Sequence, residues 1–234
     1  MILHIAIKLY FFFLCRRDAQ RAVSTVLELC RTRLPDNMHI PAEQIQVLTP
    51  TRKGPCGTIN LNRLLQEALN PKAPGKREIL WGERVFRVGD KVMQTRNNYD
   101  ILWKKDGEQG TGIFNGDIGR ILEINRAQMM ATIDFDGRIT PYPLDVLDQL
   151  ELAYAITVHK SQGSEFEAVV IPILGGFEKL YYRNLLYTAV TRAKKLLILV
   201  GSRKKIEEMV HNNRRTNRYS CLRHMLMQHE QGSN

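Results

Sequence analysis

At 234 residues, with 44% hydrophobic and 25% charged side chains, the chain has ordinary globular composition and room for one large or two small packed domains. Lysine and arginine number 34 against 24 acidic residues, a net charge of +10 that suits an anionic partner such as nucleic acid and equally serves plain solubility. Cys15, Cys30, Cys56 and Cys221 form no C-x-x-C pair and no metal-type cluster with histidine, which argues against a disulfide framework and for reduced, cytoplasmic thiols.

The stretch Met1 to Leu14 is conspicuously apolar but too short to span a bilayer. Its basic residues Arg16 and Arg17 follow it, and no small-residue cleavage site supports a signal peptide. A strand within Ile5 to Leu14, buried on both faces, is expected to open an α/β domain, and no membrane partner is expected. Arg16 to Leu34 spaces Ala19, Ala22, Val23, Val26, Leu27 and Cys30 as a helix that should stop at Pro35. Ile45 to Thr49 reads as a compact strand. A loop with Gly54, Pro55 and Gly57 then leads to Thr58 as N-cap of a helix closed at Asn70-Pro71.

After Pro74 the pattern turns to short strands over Glu78 to Thr95 and Gly112 to Tyr142, with Asn115-Gly116 and Asp136-Gly137 as hairpin signals. A small β-barrel inserted into the α/β domain accounts for this change. Helical and parallel-strand patterns return with Ala153 to Gln162, a strand at Ala168 to Leu174, a helix over Lys179 to Lys194 and a strand at Leu196 to Gly201. The expected organisation is therefore a first α/β part over 1–75, a β-rich insertion over 76–150 with the barrel at about 104–148, a second α/β part over 151–202 and a basic tail over 203–234. The tail carries seven Lys or Arg against three acidic residues, and Cys221 to Met227 is amphipathic enough for a last helix or a frayed end.

The densest chemistry lies between Tyr154 and Phe166, where Thr157, His159, Lys160, Ser161, Gln162, Gly163 and Glu165 crowd one short junction beside an apolar strand. There Ser, Thr and Lys suit phosphate oxygens, and Glu165 suits a ribose hydroxyl. A capped helix end with solvated His159 and Lys160 is the plainer alternative.

T-V-H-K-S-Q-G-S-E-F resembles motif V of superfamily 1 helicases, and L-L-Y-T-A-V-T-R-A-K, Leu185 to Lys194, resembles their motif VI. Val47 to Pro71 is similar to the motif IV region of the RecD-like branch, and Gly89 to Tyr99 to the segment leading into its small barrel. The resemblance runs from about Phe11 to Ser202. It implies a second RecA-like motor domain, of the P-loop-NTPase type, interrupted by an SH3-like barrel, in an ATP-dependent DNA helicase that moves along single-stranded DNA, 5′ to 3′ in that branch.

By the same resemblance Arg192 is the arginine presented to the γ-phosphate, where it neutralises charge that builds during phosphoryl transfer. Arg52 is expected to reach the same nucleotide, with Lys53 competing for the role. Gln162, Gly163, Ser164 and Glu165 face the nucleotide, while Thr49, Thr157, His159, Lys160 and Ser161 face DNA. Arg96, Asn97 and Asn98 form a polar turn suited to DNA backbone or to its own local hydrogen bonds. Trp81, Trp103, Tyr99 and Phe114 are aromatic candidates for base stacking, core packing being the expected fate of half.

No G-x-x-x-x-G-K-[ST] run occurs; Gly75-Lys76-Arg77 lacks both the glycine spacing and the hydroxyl, and no apolar strand ends in an Asp-Glu pair. The chain alone is thus expected not to hydrolyse ATP. ATP with Mg²⁺ would be bound mainly by an N-terminal motor domain of the same enzyme, so the sequence reads as a fragment, a separate domain or a truncated product. A stand-alone nucleic-acid-binding module and a catalytically dead remnant that binds protein are the alternatives.

Overall fold

The computed structural model describes residues 9–175 and 178–213, so the expected Cys221 to Met227 helix and the first residues of the opening strand lie outside the described residues. In chain order the elements begin with β1 (Tyr10–Cys15), α1 (Ala19–Glu28), α2 (Leu34–Met38), β2 (Ile45–Thr49) and α3 (Thr58–Leu69). The insertion follows as β3 (Glu78–Trp81), β4 (Arg84–Arg87), β5 (Lys91–Gln94), β6 (Asn98–Lys105), β7 (Glu108–Ile113), β8 (Ile118–Asn125), β9 (Met130–Phe135), β10 (Arg138–Pro143) and β11 (Leu150–Leu152). The chain returns through β12 (Ala155–Thr157), β13 (Phe166–Ile173), α4 (Arg183–Val190), β14 (Ala193–Gly201) and α5 (Arg203–His211).

Strands β1, β14, β13, β2 and β12 lie in that order in one sheet, every pair parallel. Successive residues alternate between two cores, as a sheet covered on both faces requires. Ile45, Val47, Ala168, Val170, Leu196 and Ile198 pack with Ala22, Val26, Leu61 and Leu65 of α1 and α3. Leu48, Val169, Ile171, Leu197 and Leu199 pack on the other face with Leu185 and Ala189 of α4 and Met209 of α5. Both halves of the chain, separated by the insertion, build this one sheet.

The opening strand departs from expectation. β1 pairs only with β14 and sits at the sheet's border, leaving Tyr10, Phe11 and Phe12 between 45% and 57% exposed. Only Phe13 and Leu14 reach the cores. Pro35 does not stop the first helix either. A π-turn over Leu29–Arg33, in which Leu34 N–H donates to Leu29 O, carries the chain into α2 with the proline in its first turn. The missing N–H is harmless there, and the widened turn keeps the ring off the preceding carbonyls. Thr58 is the first helical residue and not the cap. Thr58 N–H and Ile59 N–H donate to Thr51 O and Arg52 O of the preceding loop, which satisfies the helix start without a side chain.

The insertion is a seven-stranded antiparallel sheet, β11-β5-β8-β9-β10-β6-β7, with the β3-β4 hairpin beside it. Its outermost strands β7 and β11 contribute Ile113 and Leu150 to one core with Phe86, Ile121, Ile133, Phe135 and Tyr142, so the sheet wraps around itself as an SH3-like barrel does. The wrapped sheet extends over Lys91 to Leu152, wider than the expected 104–148. Asp136-Gly137 makes the β9-β10 hairpin, both residues with positive φ (55° and 82°) as a type I′ turn demands. Asn115-Gly116 is instead a corner between strands that do not pair with each other, β7 adding to β6 while β8 adds to β5 and β9. The turn joining β6 to β7 is Asp106-Gly107, φ 51° and 86°.

In the second α/β part, Ala155–Thr157 is a strand and Val158–Ser161 a 3₁₀ turn. The helix expected over Lys179 to Lys194 is confined to α4, because Ala193 to Lys195 already belong to β14.

One carboxylate joins insertion and parallel sheet. Asp90 is fully buried and accepts from Gln66 Nε2 (2.6 Å) of α3, Asn70 Nδ2 (2.6 Å) just past its end, Arg87 N–H (2.7 Å) of β4, and Tyr154 OH (2.9 Å) just before β12. Burial pushes its pKa up, against four hydrogen bonds that hold it down. Asp90→Ala takes an acceptor from four interior donors, of which Gln66 Nε2 and Asn70 Nδ2 keep a second one in Val85 O and Val88 O, a loss of about 3 kcal/mol or more. Thermal unfolding should shift down by at least about 6 °C, at roughly 2–4 °C per kcal/mol for a domain this size. A melting point unchanged by the substitution would contradict this role.

Candidate functional site

Because all five strands of the main sheet run the same way, its two rims collect different residues. Thr49 and Thr157, paired in register, stand together at the C-terminal rim. Phe166 and Ala193, also in register, stand together at the N-terminal rim. The polar run between β12 and β13 travels from one rim to the other, so the two halves of Thr157 to Glu165 lie at different rims.

At the N-terminal rim the loop Gln162 to Glu165 is largely exposed, with Gly163 at φ 86°. A Cβ on Gly163 would touch nothing within 4 Å, so the backbone conformation, and not crowding, calls for glycine. Ser164 N–H donates to Ser161 O (3.1 Å), closing the loop, and the Glu165 carboxylate faces Lys194 Nζ at 3.9 Å.

Arg192 sits two residues past the end of α4, in the turn that enters β14. Its Nε donates to Thr188 O (3.2 Å), one terminal nitrogen to Ser164 O (3.1 Å) and the other to Thr191 Oγ1 (3.2 Å). Its own carbonyl accepts from Phe166 N–H (2.8 Å). The guanidinium is thus half-buried against the Gly163 loop. Of its five N–H donors three are engaged, leaving two for an outside acceptor.

At the C-terminal rim most of the expected hydroxyls build the loops themselves. Thr49, 1% exposed, donates to Cys56 O (2.7 Å) and accepts from Thr51 N–H. Ser161 is fully buried and donates to Val158 O (2.7 Å). Neither side chain is accessible to DNA, which corrects that expectation: a hydroxyl sealed into its own turn has no free valence. Thr157 is half-buried and caps the 3₁₀ turn through Lys160 N–H (3.4 Å). His159 is exposed beside it.

Lys160 Nζ reaches Glu151 Oε2 (2.9 Å), and Arg52 reaches Glu151 Oε1 (2.9 Å). Arg52 therefore stands with Glu151 at the C-terminal rim, away from the Gly163 loop that Arg192 contacts. Its loop is held there by the Thr49–Cys56 bond and by the start of α3. Burial pushes the Glu151 pKa up, but the hydrogen bond from Lys160 and the charges of Lys160, Arg52 and Arg84 outweigh it and hold the carboxyl below its ordinary range. Sequence reasoning missed Glu151, since Arg52 lies 99 residues away in the chain.

The Thr95 to Asn98 turn stands beside the same rim. Thr95 bonds Gln149 O through both its N–H (2.7 Å) and its hydroxyl (2.9 Å), and Asn98 Nδ2 bonds Gln149 Oε1 (3.0 Å), two residues from Glu151. Arg96 is exposed, 3.5 Å from Asp148. Asn97 is used locally, accepting from Asn115 N–H (2.9 Å) and donating to Tyr99 OH. Tyr99 and Phe114 form an exposed edge-to-face pair with centroids 5.7 Å apart, whereas Trp81 and Trp103 pack against the barrel core. Among the described residues no group of His, Cys, Asp or Glu is placed to hold a metal, and no helix is long and apolar enough to cross a membrane.

Residues 61–135 match the family described as the ATP-dependent RecD-like DNA helicase SH3 domain, and residues 152–200 the UvrD-like helicase C-terminal domain. The ATP-dependent RecD2 DNA helicase of Deinococcus radiodurans is 41% identical over 158 residues, covering 68% of this chain and 20% of that protein. The RecBCD enzyme subunit RecD of Mycolicibacterium smegmatis is 30% identical over 168 residues, covering 72% of this chain and 27% of that protein. The chain thus spans about a quarter or less of the length of these relatives. A solved structure of Pif1 helicase from Bacteroides superposes with a TM-score of 0.48 at 15% identity, covering 93% of this chain and 51% of that one. Parallel sheet, wrapped insertion and the order of the two matched domains make the chain similar to the C-terminal part of RecD-like superfamily 1 helicases, the family its motifs resemble.

Proposed function

We propose that the chain works as the C-terminal motor portion of an ATP-dependent DNA helicase, supplying an arginine to a nucleotide cradled by an N-terminal motor domain and gripping single-stranded DNA at its opposite rim. The observation that carries this reading is Arg192. Three bonds to Thr188, Ser164 and Thr191 fix the guanidinium in place, and two N–H groups remain for γ-phosphate oxygens. Gln162, Gly163 and Ser164 would line the nucleotide beside it, with Glu165 suited to a ribose hydroxyl. This donor set fits the outer end of a nucleotide. It offers no carboxylate pair for Mg²⁺ and no P-loop amides, which belong to the other motor domain in this account.

At the C-terminal rim His159, Lys160 and Arg96 are the groups left accessible for DNA phosphates, and the Tyr99–Phe114 pair stands near them for base stacking. Movement 5′ to 3′ is part of the proposal through the RecD-like resemblance.

Joined to an N-terminal motor domain, Arg192→Ala should lower the DNA-stimulated ATPase kcat by about a thousandfold or more, the effect of removing an arginine that stabilises transferring phosphate, while leaving single-strand affinity within a factor of about two. Unchanged turnover would exclude the assignment. Lys160→Ala should weaken single-strand binding and flatten the dependence of log K on log salt by about 0.7, the contribution of one phosphate contact on a single strand. An unchanged slope, read by fluorescence anisotropy across salt, would remove Lys160 from the interface.

A further inference from the structure

The Arg52–Glu151–Lys160 bridge has the form of an occupied phosphate site. Each carboxylate oxygen of Glu151 meets a different cation at 2.9 Å, one on the loop after β2 and one on the turn after β12. Two non-bridging oxygens of a phosphodiester present the same charge to the same pair of donors. Arg52 is the more open of the two cations, its side chain 58% exposed, and Lys160 is 30% exposed, so both are reachable from solvent. Glu151 itself is 25% exposed and stands on β11, the strand that closes the insertion against β5. The three residues therefore meet where the inserted sheet abuts the C-terminal rim.

We propose that this is a phosphodiester subsite for single-stranded DNA, in which Arg52 and Lys160 are the ligands and Glu151 stands in for the phosphate until DNA displaces it. The inference rests on the single-strand reading of this rim and deepens it by adding Arg52 to the DNA contacts and a built-in competitor to the site. Arg52 and Lys160 both keep solvent-exposed surface, so a phosphate can reach them without opening the core. DNA brings the added drive of counterion release, which no internal carboxylate matches. Glu151 thereby lowers affinity at rest and flattens its dependence on salt. Such a counter-charge suits a protein that must let go of one phosphate to take the next.

The opposite account makes Glu151 a scaffold that positions both cations for DNA. The two accounts predict changes of opposite sign. Binding of a labelled oligodeoxythymidylate to the full chain, followed by anisotropy at several salt concentrations, separates them with Glu151→Gln, which keeps shape and removes charge. Glu151→Gln should bind about threefold to tenfold tighter at low salt, with a log K against log salt slope steeper by up to about 0.7 for each cation released to the DNA. Adding Arg52→Ala to Glu151→Gln should cancel most of that gain. Equal or weaker binding by Glu151→Gln, with its melting curve unchanged, overturns the proposal and leaves the DNA reading intact.

If Glu151→Gln fails to fold, Arg52→Ala in the parent chain decides. Weaker binding with a flatter slope supports the subsite, and unaltered binding overturns it. Absence of salt-dependent binding by the parent chain and every variant overturns both this inference and the single-strand reading.

Discussion

Four hydrogen bonds converge on the Asp90 carboxylate, and through them two sheets of different kinds become one body. Gln66 comes from α3 and Asn70 from its C-cap, Arg87 from the hairpin that opens the insertion, and Tyr154 from the residue before β12. A chain that leaves a parallel sheet for about eighty residues and returns to the same sheet needs its exit and entrance held together. Asp90 sits at both. A buried carboxylate is costly in itself, and four donors of good geometry are what make it tolerable. Arg87 adds a second tie, its side chain 8% exposed and bonded to Glu67 of α3 (2.7 Å) and Glu78 of β3 (3.0 Å).

With exit and entrance fixed, the position of the C-terminal rim follows. β12 enters beside β2, bringing Thr157 level with Thr49, and β11 ends just before it, bringing Glu151 to Arg52 and Lys160. The chain then runs down to the start of β13, where Gly163 and Ser164 meet Arg192. In the proposed reading a single polar stretch connects the DNA rim to the nucleotide rim. Its middle is anchored by the buried Ser161 hydroxyl and the Ser164–Ser161 backbone bond. In that reading a shift at Arg192 would reach Lys160 through one hydrogen bond to Ser164 and the stretch of chain between Ser164 and Lys160.

Much of the α/β part was legible from local pattern. The apolar run Ile45 to Thr49 coincides with β2, and apolar runs alternating with helical spacing give the α/β class. What misled was context that spacing does not carry. The apolar opening segment looked like a central strand, yet β1 has a neighbour on one side only. Pro35 looked like a stop, but a π-turn absorbed it. Asn115-Gly116 and Asp106-Gly107 are equal as local turn signals, and only the pairing of β6 with β7 shows that the second makes the hairpin. At the sites, the motif resemblance picks out Thr157 to Glu165, but residue type does not reveal which hydroxyls are spent on their own loop. Thr49 and Ser161 are buried for that reason. The pairing of Arg52 with Glu151 is not legible in the sequence, because the two lie 99 residues apart and Glu151 carries no motif of its own.

The account stands on a division of labour between the two rims of one sheet. The most direct measurement is a structure of this portion joined to a nucleotide-binding motor domain, trapped with a transition-state analogue of ATP hydrolysis and a short DNA single strand. The account predicts the free N–H groups of Arg192 at about 2.7–3.1 Å from the γ-phosphate mimic, with Arg52 and Lys160 on a DNA phosphate at the far rim. Arg192 directed away from the nucleotide, or Arg52 found on it, would contradict the division.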